Sequence, residues 1–160
     1  MIKVAILTVS DSCARQKRQD VSGPTIKEML PSERFEVGEY KIVADEQRDI
    51  EDELIRFADE LAVDIVFTTG GTGLGPRDVT PEATAAVCQR MVPGLAEVIR
   101  LEGLKKTKHA MLSRAAAGVR GNTLIVNLPG SPKAVRESLE VVLDVLPHAI
   151  DMLRGKGHTA

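Results

Sequence analysis

The sequence predicts a single α/β domain of three layers built on a mostly parallel, mixed sheet, and three observations carry that expectation. Lys3 to Val9 (KVAILTV) and Asp64 to Thr69 (DIVFTT) are unbroken aliphatic and β-branched runs, the pattern of strands covered on both faces. Helical patterns alternate with the strand patterns along the chain, as they do when helices cross over a parallel sheet. No linker, repeat or low-complexity segment interrupts that alternation, and 160 residues are within the range of one ordinary domain.

KVAILTV should be a central strand. Ser22 then reads as an N-cap with Pro24 in the first turn, giving a short helix from about Pro24 to Leu30. Phe35 to Val43 is a second strand. In QRDIEDELIRFADEL, the apolar residues Ile50, Leu54, Phe57, Ala58 and Leu61 fall on one helical face, which packs on the sheet. DIVFTT is the third strand. Thr80-Pro81-Glu82 supplies an N-cap, a proline at the first helical position and an acid in the first turn, opening a helix that runs to about Met91. Pro93 opens another over GLAEVIRLEGL. RGN offers a tight turn between AAAGV and TLIVNLP, a hairpin near the sheet's edge. From Pro132 a long helical pattern points Val135, Leu139, Val142, Leu146 and Ile150 inward, with Pro147 kinking or dividing it. The domain is expected over residues 1–155, with 156–160 a frayed tail.

Composition excludes several function classes. The net charge of −2 comes from well-mixed signs, with no basic stripe, and no Trp, one Tyr and three Phe leave few stacking platforms, so no nucleic-acid partner is expected. No run approaches the roughly 20 apolar residues of a membrane span, and MIKVAILTVSDS reads as a mature cytoplasmic N-terminus rather than a signal peptide. Cys13 and Cys88 lack CxxC spacing and read as plain thiols, and His109, His148 and His158 show no metal-ligand or nucleophile pattern.

Parallel sheets bind ligands beyond the carboxyl ends of their strands, so TVSDS, TTGGTG and NLPGSP should converge on one rim. The stretch from Thr68 to Thr84, TTGGTGLGPRDVTPEAT, fits neither GxxxxGK[ST] nor GxGxxG. Its glycines nevertheless permit close backbone approach, and a helix N-terminus follows, an environment suited to an anion; a tight strand-to-helix connection is the plainer alternative. Asp78 is a helix-dipole partner or, with Thr80 already capping, a spare carboxylate. Asp45, in VADE after the second strand, is a solvated loop acid or reaches the same rim. Two carboxylates beside a polyphosphate would suit Mg²⁺. Ser131, with Pro132 after it, marks another helix start aimed at the rim, and Ser113 and Arg114 could offer a hydroxyl and a guanidinium to phosphate, or Arg114 a surface ion pair.

TTGGTGLGPRDVTPEAT, with MLSRAAAGVRGNTLIVNLPGSP downstream, TVSD after the first strand and DE after the second, closely resembles the molybdopterin adenylyltransferases of molybdenum cofactor biosynthesis, the MogA/MoaB type, over almost the whole chain. The resemblance implies a molybdopterin-binding fold, a homotrimer, and an enzyme that uses Mg-ATP to adenylylate molybdopterin at its terminal phosphate with release of pyrophosphate, ahead of a molybdate-insertion partner. It implies that Gly70, Gly71, Thr72 and Gly73 hold phosphate or nucleotide, and that Asp78 is the essential acid with Asp45 as the second, together the candidate Mg²⁺ ligands. Ser10, Asp11, Ser113, Pro129, Gly130 and Ser131 would line the pterin and nucleotide pocket. Ala44 stands where the family usually has proline, which loosens the loop carrying Asp45. Two other readings share the fold: a molybdopterin-binding protein without catalysis, and a nucleotide hydrolase related to competence-damage proteins. Retention of Asp78 argues against the first, and the lack of a second domain against the second.

Overall fold

Eight successive residues of the first strand, Ile2–Val9 (β1), include six that are buried and aliphatic, and this strand sits between two parallel neighbours. A computed structural model describes residues 1–156; the expected frayed tail, Lys156 apart, lies outside the described residues, as does His158. The six-stranded sheet has the order β2-β1-β3-β6-β5-β4, with β2 Phe35–Val43, β3 Ile65–Thr69, β4 Arg90–Met91, β5 Ala117–Arg120 and β6 Thr123–Leu128. The first four in that order run parallel, β5 pairs antiparallel with β6 and β4 antiparallel with β5, so β5 alone is reversed and the sheet is mixed and mostly parallel as expected. The chain leaves β1 for β2 on one side and reaches β3 on the other, which makes the carboxyl ends of β1 and β3 a topological switch point.

The central strands feed two cores by alternation. Val4, Ile6, Ile65, Phe67, Leu124 and Val126 face one layer, packed by α2 (Ser22–Met29), α5 (Pro93–Leu104), α6 (Pro132–Val142) and α7 (Leu146–Leu153). Ala5, Leu7, Val66 and Ile125 face the other, against Ile50 and Leu54 of α3 (Gln47–Ile55), Phe57 in the π-helical turn that ends it, and Ala83 and Val87 of α4 (Thr80–Val87). Val135, Leu139, Val142, Leu146 and Ile150 are all buried, and a 3₁₀ turn at Leu143–Val145 divides the last helices just before Pro147. β5 and β6 close through a two-residue turn in which Gly121 has φ 56°, the conformation glycine supplies at the first turn position.

Several local expectations give way to longer-range contacts. Ser22 is the first residue of α2 rather than its cap: the Asp20 carboxylate accepts from the Ser22 and Gly23 amides at 3.1 and 3.3 Å. Thr80 is likewise the first helical residue of α4, with Val79 before it; its buried hydroxyl donates to the Gly70 carbonyl at 2.9 Å. α4 stops at Val87 instead of Met91, because Arg90 and Met91 pair with Val119 and Gly118 as an edge strand. Leu61, expected inward, is 37% exposed beyond the end of the helix. The hairpin lies near one edge of the sheet as expected, with β6 paired to β3 and the two-residue β4 outside β5.

Candidate functional site

Three strand ends meet at the switch point. Thr69 donates its hydroxyl to the Pro129 carbonyl at 2.7 Å, and the Gly70 amide donates to Leu128 at 3.3 Å, so the exits of β3 and β6 are joined. Gly70 and Gly71 follow with φ of 98° and 68°. A Cβ on Gly70 would lie 2.3 Å from the Val9 carbonyl oxygen, and one on Gly130 would stand 3.5 Å from the Gly70 Cα. At Gly70 only glycine permits this approach, whereas a Cβ at Gly130 would make an ordinary contact.

On one side of this floor are three carboxylates. A short helix, α1 (Asp11–Ala14), begins directly after β1 with Ser10 as its cap, accepting from the Cys13 amide at 3.2 Å. Asp11 and Asp45 are bound reciprocally: the Asp11 amide donates to Asp45 Oδ2 at 2.8 Å, and the Asp45 amide donates to Asp11 Oδ1 at 3.0 Å. Asp45 Oδ1 would be 3.2 Å from a Cβ on Gly71, so this acid reaches the glycine turn despite Ala44 before it. Asp78 folds back under its own turn. Its Oδ2 accepts from the Gly75 amide at 2.9 Å and would lie 2.9 Å from a Cβ on either Gly73 or Gly75.

Arg77 crosses from the glycine-rich turn to the opposite lip, with Nε and Nη2 on the two oxygens of Asp11 at 3.1 and 3.0 Å and Nη2 also 2.8 Å from Glu46. That guanidinium holds the Asp11 carboxyl below the usual carboxylate range. Asp45 is shifted the other way: burial raises its pKa, and the charges of Asp11 and Asp78 add to the shift. Asp45 thus carries its negative charge at a cost that the Asp11 amide and the charge of Arg77 offset only in part. Among the described residues, Asp45 Oδ1 and Asp78 Oδ1 accept no protein hydrogen bond, and no three His, Cys, Asp or Glu side chains form a metal cluster. A hard cation here would find two carboxylates and take its remaining ligands from elsewhere, which is how Mg²⁺ is commonly held with phosphate oxygens.

On the other side, a cavity of about 770 Å³ opens between α5 and α6, and Thr72, Gly73, Ser113 and Pro129 line its rim end. Ser131 caps α6, accepting from the Ala134 amide at 3.2 Å, and Ser22 donates to the Gly130 carbonyl at 2.6 Å. The predicted residues therefore divide into two groups on either side of one main-chain floor. Arg114 does not offer its guanidinium to this space. It is engaged by the carbonyls of Gly73 and Asp78 and by Glu82, contacts that no local pattern in the sequence announces. Arg77 was also missed, although its place between Pro76 and Asp78 in the glycine-rich turn was a visible signal.

The family model described as a probable molybdopterin binding domain, of the molybdenum cofactor biosynthesis group, matches residues 5–148. The chain is 46% identical over 156 residues to the molybdopterin adenylyltransferase of Helicobacter pylori strain J99, covering 96% of this chain and 89% of the relative. Its fold is similar to that of the molybdopterin biosynthesis enzyme MoaB from Thermus thermophilus, with a TM-score of 0.92 and 55% identity over 97% of this chain and 98% of the other. It is also similar to the tungsten cofactor synthesizing protein MoaB from Pyrococcus furiosus, with a TM-score of 0.87 and 34% identity over 96% of this chain and 98% of the other. By its sequence, its fold and the composition of its rim, the chain belongs to the molybdopterin-binding family of molybdenum cofactor biosynthesis.

Proposed function

We propose that this chain is a molybdopterin adenylyltransferase that transfers AMP from Mg-ATP to the terminal phosphate of molybdopterin and releases pyrophosphate. The observation that carries the reading is that two carboxylates reach the glycine-rich turn at the switch point of the sheet, Asp45 at Gly71 and Asp78 at Gly73 and Gly75. In this reaction a molybdopterin phosphate oxygen bonds to the α-phosphorus of ATP while the bond from that phosphorus to the α–β bridging oxygen breaks, and pyrophosphate leaves with the electron pair. No protein nucleophile is needed; the site contributes orientation and charge neutralisation.

Gly71, Thr72 and Gly73 would present main-chain amides to phosphate, with Gly70, whose amide is held by the Leu128 carbonyl, shaping the turn beneath it and with Ser10, Asp11, Ser113, Pro129, Gly130 and Ser131 around the two ligands. Asp45 and Asp78 would hold Mg²⁺, which, when bound, neutralises phosphate oxygens and draws charge from the reacting centre. Burial raises the Asp45 pKa and the charges of Asp11 and Asp78 add to it; a cation would relieve that added repulsion.

The working unit is proposed to be residues 1–155 assembled as a homotrimer in the cytoplasm, passing its product to a molybdate-insertion protein. α5 supports the assembly: Leu101 is 62% exposed on it, and Met111, on the 3₁₀ turn packed against it, is 60% exposed. No helix among the described residues is long and apolar enough to cross a membrane. The test is incubation of the purified chain with molybdopterin, ATP and Mg²⁺, following pyrophosphate and the adenylylated pterin. Binding of molybdopterin without pyrophosphate would indicate a carrier, and nucleotide cleavage that ignores the pterin would indicate a hydrolase.

A further inference from the structure

Arg114 lies in the segment between the 3₁₀ turn at Lys108–Leu112 and β5, yet its contacts cross to the glycine-rich turn. Its amide donates to the Thr72 carbonyl at 2.8 Å, Nε to Gly73 at 2.8 Å and Nη2 to Asp78 at 2.7 Å, while Nη1 pairs with Glu82 in the first turn of α4. One residue therefore holds both ends of the turn and the helix that follows it. Arg100 of α5 donates in turn to the carbonyls of Ser113 and Ala115 at 3.4 and 2.7 Å, fixing the main chain on either side of Arg114.

At its base the turn is closed by Thr80, whose amide donates to Gly71 at 3.1 Å and hydroxyl to Gly70 at 2.9 Å, but between Gly73 and Asp78 it has few other restraints. The Gly75 amide bonds the Asp78 carboxylate, and the Asp78 amide returns to Gly75 at 3.0 Å, but both contacts are internal and travel with the turn. Arg77 anchors it through a side chain that is 50% exposed. Gly73 and Gly75 have no side chains to anchor. A planar guanidinium holds two carbonyls at a fixed separation, whereas a lysine ammonium reaches the same groups only as a mobile point charge.

We propose that Arg114 is a positioning residue for the proposed reaction: it fixes the Gly73–Asp78 turn so that the Asp78 carboxylate faces the phosphates, without touching them itself. The inference rests on the adenylyl-transfer reading for its chemical consequence, while the clamp can be judged independently. The experiment compares full-length wild type, Arg114→Lys and Glu82→Gln by amide hydrogen exchange, thermal melting and steady-state kinetics. In Arg114→Lys, the amides of Gly75, Asp78 and Thr80 should exchange about tenfold faster or more while those of β1 and β6 are unchanged. The kcat should fall about tenfold or more with KM for ATP and molybdopterin within about threefold, because the interaction lost belongs to the reacting state. Glu82→Gln should move each readout the same way and less. In single turnovers on an Asp78→Asn background, adding Arg114→Lys should cost little more, since the group it positions is already disabled.

Unchanged exchange in the turn would overturn the clamp, and so would exchange that rises equally across the whole sheet, the mark of general destabilisation. A kcat equal to wild type in Arg114→Lys, with the turn loosened, would overturn the positioning role. If wild type transfers no adenylyl group, the proposed function fails while the exchange pattern still decides the clamp.

Discussion

Asp11 and Asp45 hold each other by their main chains: each carboxylate accepts the amide of the other residue, at 2.8 and 3.0 Å. The loops after β1 and β2 are thereby locked in register at the rim, and the two acids are brought together in spite of their like charge. Arg77 relieves Asp11, while Asp45 keeps the electrostatic penalty.

That asymmetry gives opposite pH dependences. Asp45 has a folded pKa above its unfolded value, so its ionisation opposes folding, and this destabilisation sets in as pH rises from the ordinary carboxylate value through the raised one. Asp45→Asn, which can still accept the Asp11 amide, should therefore melt at a higher temperature than wild type at pH 7 without Mg²⁺, and the difference should vanish below about pH 4. Asp11 has the lowered pKa, and its stabilisation, present above the unfolded value, is lost as pH falls through the folded one. Melting curves across pH for Asp45→Asn and Asp11→Asn decide the signs.

Asp45→Ala tests the metal directly. Its rate should recover in part at high Mg²⁺, because ATP phosphates still recruit the ion, while molybdopterin affinity should hold. Initial rates against Mg²⁺ at fixed ATP, beside a pterin titration, make the comparison; equal rates at every magnesium level would leave Asp45 as a loop acid.

Asp78→Asn should reduce adenylyl transfer by about 100-fold or more, the scale for removing one charge-stabilising group from a reacting centre. The fold should persist, since an amide oxygen can accept the Gly75 amide as the carboxylate does. Single-turnover assays with circular dichroism separate the two effects.

Gly70→Ala should cost about 1–3 kcal/mol from its left-handed backbone alone, before the clash with the Val9 carbonyl is counted. Urea unfolding measures the loss. Gly38, where an added Cβ meets nothing within 4 Å, is the control and should tolerate alanine.

Trimerisation is checked by light scattering, with a mass three times the 17.3 kDa chain expected. Leu101→Glu, on the exposed face of α5, should shift the mass toward a single chain and leave the melting transition cooperative.

The buried strands were legible because a parallel sheet demands apolar residues on both faces, and KVAILTV supplies them without alternation. The last helical segment was legible from spacing: the five residues from Val135 to Ile150 chosen by period are all buried. The convergence of three turns followed from the rule about strand ends. Cap assignments failed where a distant group outcompeted the local pattern, as the Gly70 carbonyl did for Thr80. The end of α4 failed because β4 exists only through pairing with β5. Arg114 was visible as a cation and not as a clamp, since its carbonyl partners are 36 and 41 residues away in the chain.

Where Gly70 leans on Val9 and Gly130 leans on Gly70, the ground beneath a ligand is peptide bond alone. In the proposed reaction the remaining amides of this turn would greet any phosphate alike, indifferent to the molecule that bears it. Under the proposed function, choosing among phosphorylated compounds would accordingly fall to the flanks, Ser10 and Asp11 on one bank and Ser113 on the other. A redesign aimed at a different pterin or nucleotide should rewrite those banks and leave the bed untouched.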